Sequence, residues 1–210
     1  MDIKVKRSFE LFLLFIVLPA SLSINYPIWT KVLIVLSSFV YVLYVQKNEY
    51  DFGFKIPSKC SAIMFKNRIL VNFCILFIIT VAFVYFSNSD MLFSVVLKKP
   101  ALWIIILLAY TFLSVLPQEL IYRTFFFYRY QLIFKDKNIL IFLNAILFSL
   151  AHIFFRNTIV LFLTFLGGLL FAFTYHTSRS TILVSIEHAI YGNWLFTVGM
   201  GEMLAFPGAD

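Results

Sequence analysis

ILVNFCILFIITVAFVYFS, residues 69–87, runs for 19 residues without a charge. At about 1.5 Å per helical residue it is long enough to cross a hydrocarbon layer of roughly 30 Å. TIVLFLTFLGGLLFAFTY at 158–175 repeats the pattern. Outward from these two, further apolar runs lie at about Phe9 to Ile24, Ile28 to Val45, Ala101 to Pro117, Leu120 to Phe134, Ile139 to Phe155 and Thr181 to Met200. Of the 210 residues, 62% are hydrophobic and 13% charged, the latter about half the fraction usual in soluble domains. The expected fold is all-α: a polytopic integral membrane helical bundle of about seven to eight apolar helices, a single transmembrane domain over residues 1–210. Lys4, Lys6 and Arg7 before an apolar run ending at Pro19-Ala20-Ser21 resemble a secretory signal. Seven more apolar runs follow, however, and this reads as a retained first helix.

The net charge of +7 is carried by basic residues that fall mostly between the apolar runs. No basic stripe follows one element, so they are topology signals and nucleic acid is not an expected partner. All of the 17 Lys and Arg except Lys31, Lys98, Lys99 and Arg156 share one side if the N-terminus, the 46–68 loop, the 123–137 segment and Arg179 face together. The positive-inside rule makes that side cytoplasmic, giving a multi-pass protein of the cell (inner) membrane with its N-terminus in the cytoplasm. Pro117 is expected to break the helix ladder, leaving the short basic fifth run half-buried or interfacial and non-spanning. The 27 Phe, scattered through every run, read as lipid-facing filler. Cys60 and Cys74 show no CxxC spacing and support neither a disulfide framework nor a cysteine metal site. The Gly-Pro-rich, acidic end GMGEMLAFPGAD is expected to cap the bundle on the non-cytoplasmic face.

An ionised side chain in the apolar layer costs at least about 2.5 kcal/mol, so those kept there mark the bundle interior and a site. They are few: Glu119 and Arg123 after Pro117, His152 late in the sixth run, and Glu187 with His188 in the last. Asn72, Asn144 and Asn193 add uncharged polar groups. Glu119 and Arg123 are four apart, so a helix puts them on one face, where the guanidinium can hold the carboxylate oriented. Phe148 and His152 share the same spacing. Glu187 and His188 project about 100° apart and face one cavity only if it is broad or the helix irregular. Taken singly these groups read as a structural ion pair and packing histidines. Their convergence, with only three His and ten acids in the chain, points to a site. There is no HExxH, no GxSxG turn and no pair of intramembrane Asp, so Glu and His remain as the chemistry.

QELIYR at 118–123, FSLAH at 148–152 and HAIYGN at 188–193 resemble, in order and spacing, the three motifs of the CAAX protease and bacteriocin-processing (CPBP, or Abi) family of intramembrane proteases, which includes the type II CAAX prenyl endopeptidases. The resemblance covers a catalytic core region of about residues 100–200. It implies catalytic roles for Glu119, Arg123, His152, His188 and Asn193, with Gln118, Phe148 and Glu187 supporting. A carboxylate and His152 would activate a water, and the third motif would stabilise the oxyanion. Two positions depart from the family pattern: Gln118 stands where the first Glu is found, and Gly192 stands four after His188, with Asn193 one place late. Glu119 would then have to serve as base, helped by Glu187, or hydrolysis is lost. The residue types would equally suit a divalent metal such as zinc, held by Glu119, His152 and His188 with one open position.

The resulting expectation is an intramembrane endopeptidase that cleaves a membrane-associated peptide or protein with a Glu/His-activated water, a divalent metal such as zinc being the cofactor the site would take. The departures motivate an alternative: a catalytically inactive relative serving bacteriocin self-immunity or as a membrane scaffold. A small transporter is a third class, since broken helices with buried ionisable groups also build substrate sites. The absence of paired Gly/Pro-broken segments in two related halves argues against it.

Overall fold

A computed structural model describes residues 2–49 and 59–204. Seven long helices and one short one make up the described chain, and no strand occurs among these residues. Helix α1 covers residues 3–22, with a π-helical turn at Leu13–Val17. It is followed by α2 (Ile28–Glu49), α3 (Lys59–Asn88), the short α4 (Ser94–Lys98) and α5 (Pro100–Tyr130). The last three are α6 (Lys137–Leu150), α7 (Thr158–Ser178) and α8 (Thr181–Val198). Helices satisfy their own backbone groups, which a hydrocarbon layer requires. Five are long and apolar enough to cross a membrane: α2, α3, α5, α6 with its 3-10 extension to Phe155, and α7. The chain is thus the expected all-α membrane bundle.

Polar caps set the sharp reversals. Asp136 accepts from the backbone N–H of Asn138 and Ile139 to start α6, Asn157 caps α7 in the same way, and Ser180 caps α8. Helices α6 and α7 then pack closely as an antiparallel pair. Gly168 makes this possible, because a Cβ there would stand 3.0 Å from the Cα of Ala145. Helix α8 is the central rod: nine of its residues, from Thr181 to Val198, are buried. It can carry Glu187 and His188 because the faces that bear them are covered by protein, while Ile182, Ile186 and Ile190 form its exposed stripe.

The fourth and fifth apolar runs form one helix, against expectation. Pro117 does not break α5, because the chain widens into a π-helical turn at Tyr110–Val115 just before it and again at Leu120–Phe125 just after. A widened turn accommodates the ring and the missing N–H that would disrupt a regular α-helix. The fifth run is therefore the second half of a long helix and not an interfacial element. Its Arg123, grouped by sequence with the basic surface, is fully buried. The 46–68 segment is not one loop either: 46–49 end α2 and 59–68 begin α3, while 50–58, with Lys55, lie outside the described residues. In the C-terminal stretch, Gly201–Leu204 form a 3-10 turn, and the expected cap beyond it lies outside the described residues.

Three of the arginines lie at the ends of the bundle. At one end Arg7 donates to the Arg129 carbonyl, and Arg179 donates to Gln131. At the other, Arg156 reaches the Ser23 carbonyl and Asn25. The basic end also carries a buried clamp on Glu10. Its Oε1 accepts from Arg129 Nε at 2.8 Å and the Tyr130 hydroxyl at 2.9 Å. Its Oε2 accepts from Arg129 Nη2 at 2.8 Å and the Tyr41 hydroxyl at 2.7 Å. Arg129 also pairs with Glu49, so α1, α2 and α5 are tied at one point.

Above the clamp Phe15 inserts among Tyr122, Phe126 and Tyr130, with ring centroids 5.2, 5.3 and 5.8 Å away. Phe125, Phe127, Phe148 and Phe171 are likewise buried, so these phenylalanines are core and not lipid-facing filler, while others such as Phe77, Phe86 and Phe162 are exposed. The outward residues of α2, α3 and the first half of α5, among them Leu33, Ile78 and Leu108, are exposed as a lipid-facing surface requires.

Candidate active site

The second π-helical turn of α5 shapes the site. It leaves backbone carbonyls outside the regular α-helical ladder, and side-chain amides from two neighbouring helices occupy two of them. Gln46 Nε2 of α2 donates to the Leu120 carbonyl at 3.2 Å, and Asn144 Nδ2 of α6 donates to the Tyr122 carbonyl at 2.6 Å. Both amides are buried, where an unmet carbonyl is costly. Glu119 and Arg123 flank the turn and are fully buried. Arg123 Nε lies 3.3 Å from Glu119 Oε2, an ion contact without hydrogen-bond alignment. The guanidinium sits 4.5 Å from the centroid of Phe148 and 5.7 Å from that of Phe171, so ring faces and the carboxylate together meet its charge.

Glu119 Oε1 accepts a 2.7 Å hydrogen bond from His188 Nδ1. An ionised carboxylate only accepts, so Nδ1 carries the proton, and in the neutral imidazole Nε2 presents a lone pair. The Tyr110 hydroxyl meets that lone pair at 3.0 Å. Phe171 stacks on the imidazole, with centroids 4.4 Å apart and planes at 22°. His152 is fixed in the same sense, its Nδ1 donating to the Phe148 carbonyl at 2.7 Å and leaving Nε2 as an acceptor. The Phe148 ring stands edge-on to both imidazoles, at 4.8 Å from His152 and 5.7 Å from His188. Gln118 Nε2 donates to Ser114 at 2.7 Å, and Gln118 Oε1 has no hydrogen-bond partner among the described residues.

These groups border a cavity of about 980 Å³ inside the bundle. Tyr110, Ser114, Gln118, His152 and His188 are polar residues of its wall, and Lys31, Ser38, Asn72 and Thr80 add polar groups from α2 and α3. Largely apolar residues of α1, α2 and α3, such as Leu14, Val35 and Ile75, supply much of the remainder. Glu119 and Arg123 are absent from the wall and stand behind His188.

Two of the expected site residues sit elsewhere. Glu187 is fully buried but belongs to a second cluster: it accepts from Thr174 and from the Tyr191 hydroxyl at 3.2 Å, with Arg68 Nη2 3.6 Å away. The 100° step between adjacent helical positions separates it from His188. Asn193 donates to Thr111 at 3.0 Å and is not on the cavity wall. The proposed metal set of Glu119, His152 and His188 does not fit a ligand triad. Glu119 and His188 bind each other, His188 Nε2 is met by Tyr110, and no group of three His, Cys, Asp or Glu among the described residues is arranged to hold a metal.

Tyr110 and Ser114 were not among the residues singled out from sequence. Their spacing with Gln118, a polar residue at every fourth position of an otherwise apolar run, is the signal that marks them. Residues 100–194, from the start of α5 into α8, match the family model described as Rce1-like, type II CAAX prenyl endopeptidase Rce1-like. All three motifs lie within the matched segment, so the chain is similar to this family over the residues that carry them. No curated protein and no solved structure matches the chain.

Proposed function

We propose that this membrane protein, similar over residues 100–194 to type II CAAX prenyl endopeptidases, is an intramembrane endopeptidase that hydrolyses a membrane-associated peptide with a water activated by His188. One observation carries the reading: Glu119, closed off from the cavity, holds His188 Nδ1, while His188 Nε2, His152 and Gln118 border the space a substrate would enter. A carboxylate behind an imidazole fixes its tautomer and stabilises the imidazolium that forms when the ring takes a proton. Arg123 orients that carboxylate from the far side. His152 Nε2 accepts a hydrogen bond from the attacking water and orients it. His188 Nε2 takes its proton as the hydroxide adds to the carbonyl carbon, then returns it to the leaving amine. The cavity's apolar wall suits a substrate that arrives from the bilayer, and the basic end is assigned to the cytoplasm by the positive-inside rule.

The experiment is cleavage of an internally quenched, prenylated CAAX peptide by purified protein in proteoliposomes. Wild type is expected to cut it. His188→Ala, His152→Ala and Glu119→Gln are each expected to lower kcat by about 10²-fold or more. Unchanged turnover in these variants, or no cleavage of the peptide by wild type, overturns the reading. A second reading, a non-hydrolytic relative that binds a membrane partner in the same cavity, is favoured by Gln118, which offers an amide where the family has a carboxylate.

A further inference from the structure

We propose that Tyr110 is a further catalytic residue, its hydroxyl donating a hydrogen bond to the carbonyl oxygen of the scissile peptide as that oxygen becomes negative. The proposal rests on the peptidase reading and adds the group that receives the developing charge.

Three observations converge on this hydroxyl. It borders the cavity and lies 3.0 Å from His188 Nε2, adjacent to where the reaction would occur. Its ring is held from two sides, edge-on to His188 with centroids 6.0 Å apart and to Phe196 at 5.0 Å. The third is the space it occupies. A Cβ at position 192 would stand 2.1 Å from the Tyr110 oxygen and 2.3 and 2.4 Å from two ring carbons, so the phenol fills the volume that any side chain there would need. Position 192 is one helical turn beyond His188, on the same face of α8, from which a polar side chain would reach the same region. Gly192 and Tyr110 are therefore a matched pair, in which a donor on α5 takes the place available to one on α8.

Proton bookkeeping couples the hydroxyl to the base. In the resting site Nε2 has a lone pair and Tyr110 donates to it. Nε2 has a single lone pair and cannot take the water's proton while Tyr110 occupies it, so the entering peptide carbonyl first draws the tyrosine O–H toward itself, and the freed lone pair then takes the proton as the water adds. The water oxygen bonds to the carbonyl carbon, the π electron pair moves onto the carbonyl oxygen, and that oxygen accepts from Tyr110. When the tetrahedral species collapses, the C–N bond breaks, the amine takes the proton from Nε2, and the hydroxyl returns to the freed lone pair. Nothing is oxidised or reduced, and water and peptide are fully accounted for in acid and amine.

Tyr110→Phe removes the oxygen and keeps the ring that packs on Gly192. With the quenched prenylated peptide in proteoliposomes, kcat is expected to fall about 10²- to 10³-fold with KM little changed, the loss typical of one oxyanion donor. A second variant guards against a packing effect. Tyr110→Ala empties the volume, and adding Gly192→Asn supplies an amide from α8; the double variant is expected to recover at least about tenfold of the single variant's loss. If wild type and Tyr110→Phe cut with equal kcat, or if only KM changes, the Tyr110 role is overturned and the peptidase reading stands. If the double variant is no faster than Tyr110→Ala, the relocated-donor role is likewise overturned. No cleavage by wild type overturns the peptidase reading and the Tyr110 role together.

Discussion

Replacing Arg129 by Met tests whether the clamp on Glu10 holds the first two helices to the rest of the bundle. The guanidinium supplies two of the four hydrogen bonds that Glu10 accepts, both at 2.8 Å, and the carboxylate is 8% exposed. Without it, Glu10 keeps the hydroxyls of Tyr41 and Tyr130 and no described cation within its pair. Breaking a buried ion pair from one side costs about 3–5 kcal/mol. For a chain of this length each kcal/mol lowers Tm by about 2–4 °C, so Arg129→Met is expected to lose roughly 6–20 °C. Glu10→Leu should cost less, because Arg129 retains Glu49. The double variant removes both charges and should be more stable than Arg129→Met alone, since no buried charge is left uncompensated. Thermal unfolding in detergent, followed by circular dichroism, reads all three. A fall of under about 2 °C for Arg129→Met, or a double variant less stable than either single one, would refute the reasoning.

Gly168→Val should destabilise by about 1–3 kcal/mol, because the new Cβ meets Ala145 backbone at 3.0 and 3.2 Å, while Gly167→Ala, which meets only the Phe171 ring, should cost less; thermal melts compare them. Asn144→Leu leaves the Tyr122 carbonyl unmet and should cost about 1–3 kcal/mol, checked in the same melts. Gln118→Glu should alter the cleavage rate by less than about tenfold if His188 is already the base, whereas activity emerging from an inert wild type would favour the non-hydrolytic reading. Since Glu119 and His188 are committed to each other, a chelator such as 1,10-phenanthroline should leave cleavage unchanged, and a loss reversed by added zinc would count against the proposed water mechanism.

Charge made the membrane bundle and much of the site legible in the sequence. Glu119, Arg123, His152 and His188 stand out because ionisable groups are rare and costly in apolar runs, and Glu119, Arg123 and His188 do meet. Glu187 misled for the same reason: burial of an acid marks the interior, not which face of the helix it occupies, and here Arg68 and Thr174 hold it elsewhere. Pro117 misled because proline is read against a regular helix, and no residue pattern announces the widened turns that absorb it. Tyr110 left one trace in the sequence, its fourth-position spacing with Ser114 and Gln118, which was easily lost among 11 tyrosines in a chain where aromatic residues are everywhere. Its distinction lies in a contact with Gly192 82 positions away, which only the packing of α5 on α8 creates.

The cavity has two suppliers. Its chemistry comes from α5, α6 and α8 within the matched segment, but Leu14, Val35, Ile75 and much of the facing wall come from the first ninety-nine residues, outside that segment. Mutations in α1 to α3 can therefore reshape what fits without touching the reacting groups. On the peptidase reading, two such proteins could keep identical motifs and yet divide a membrane's peptides between them, their preferences drifting while their chemistry stands still.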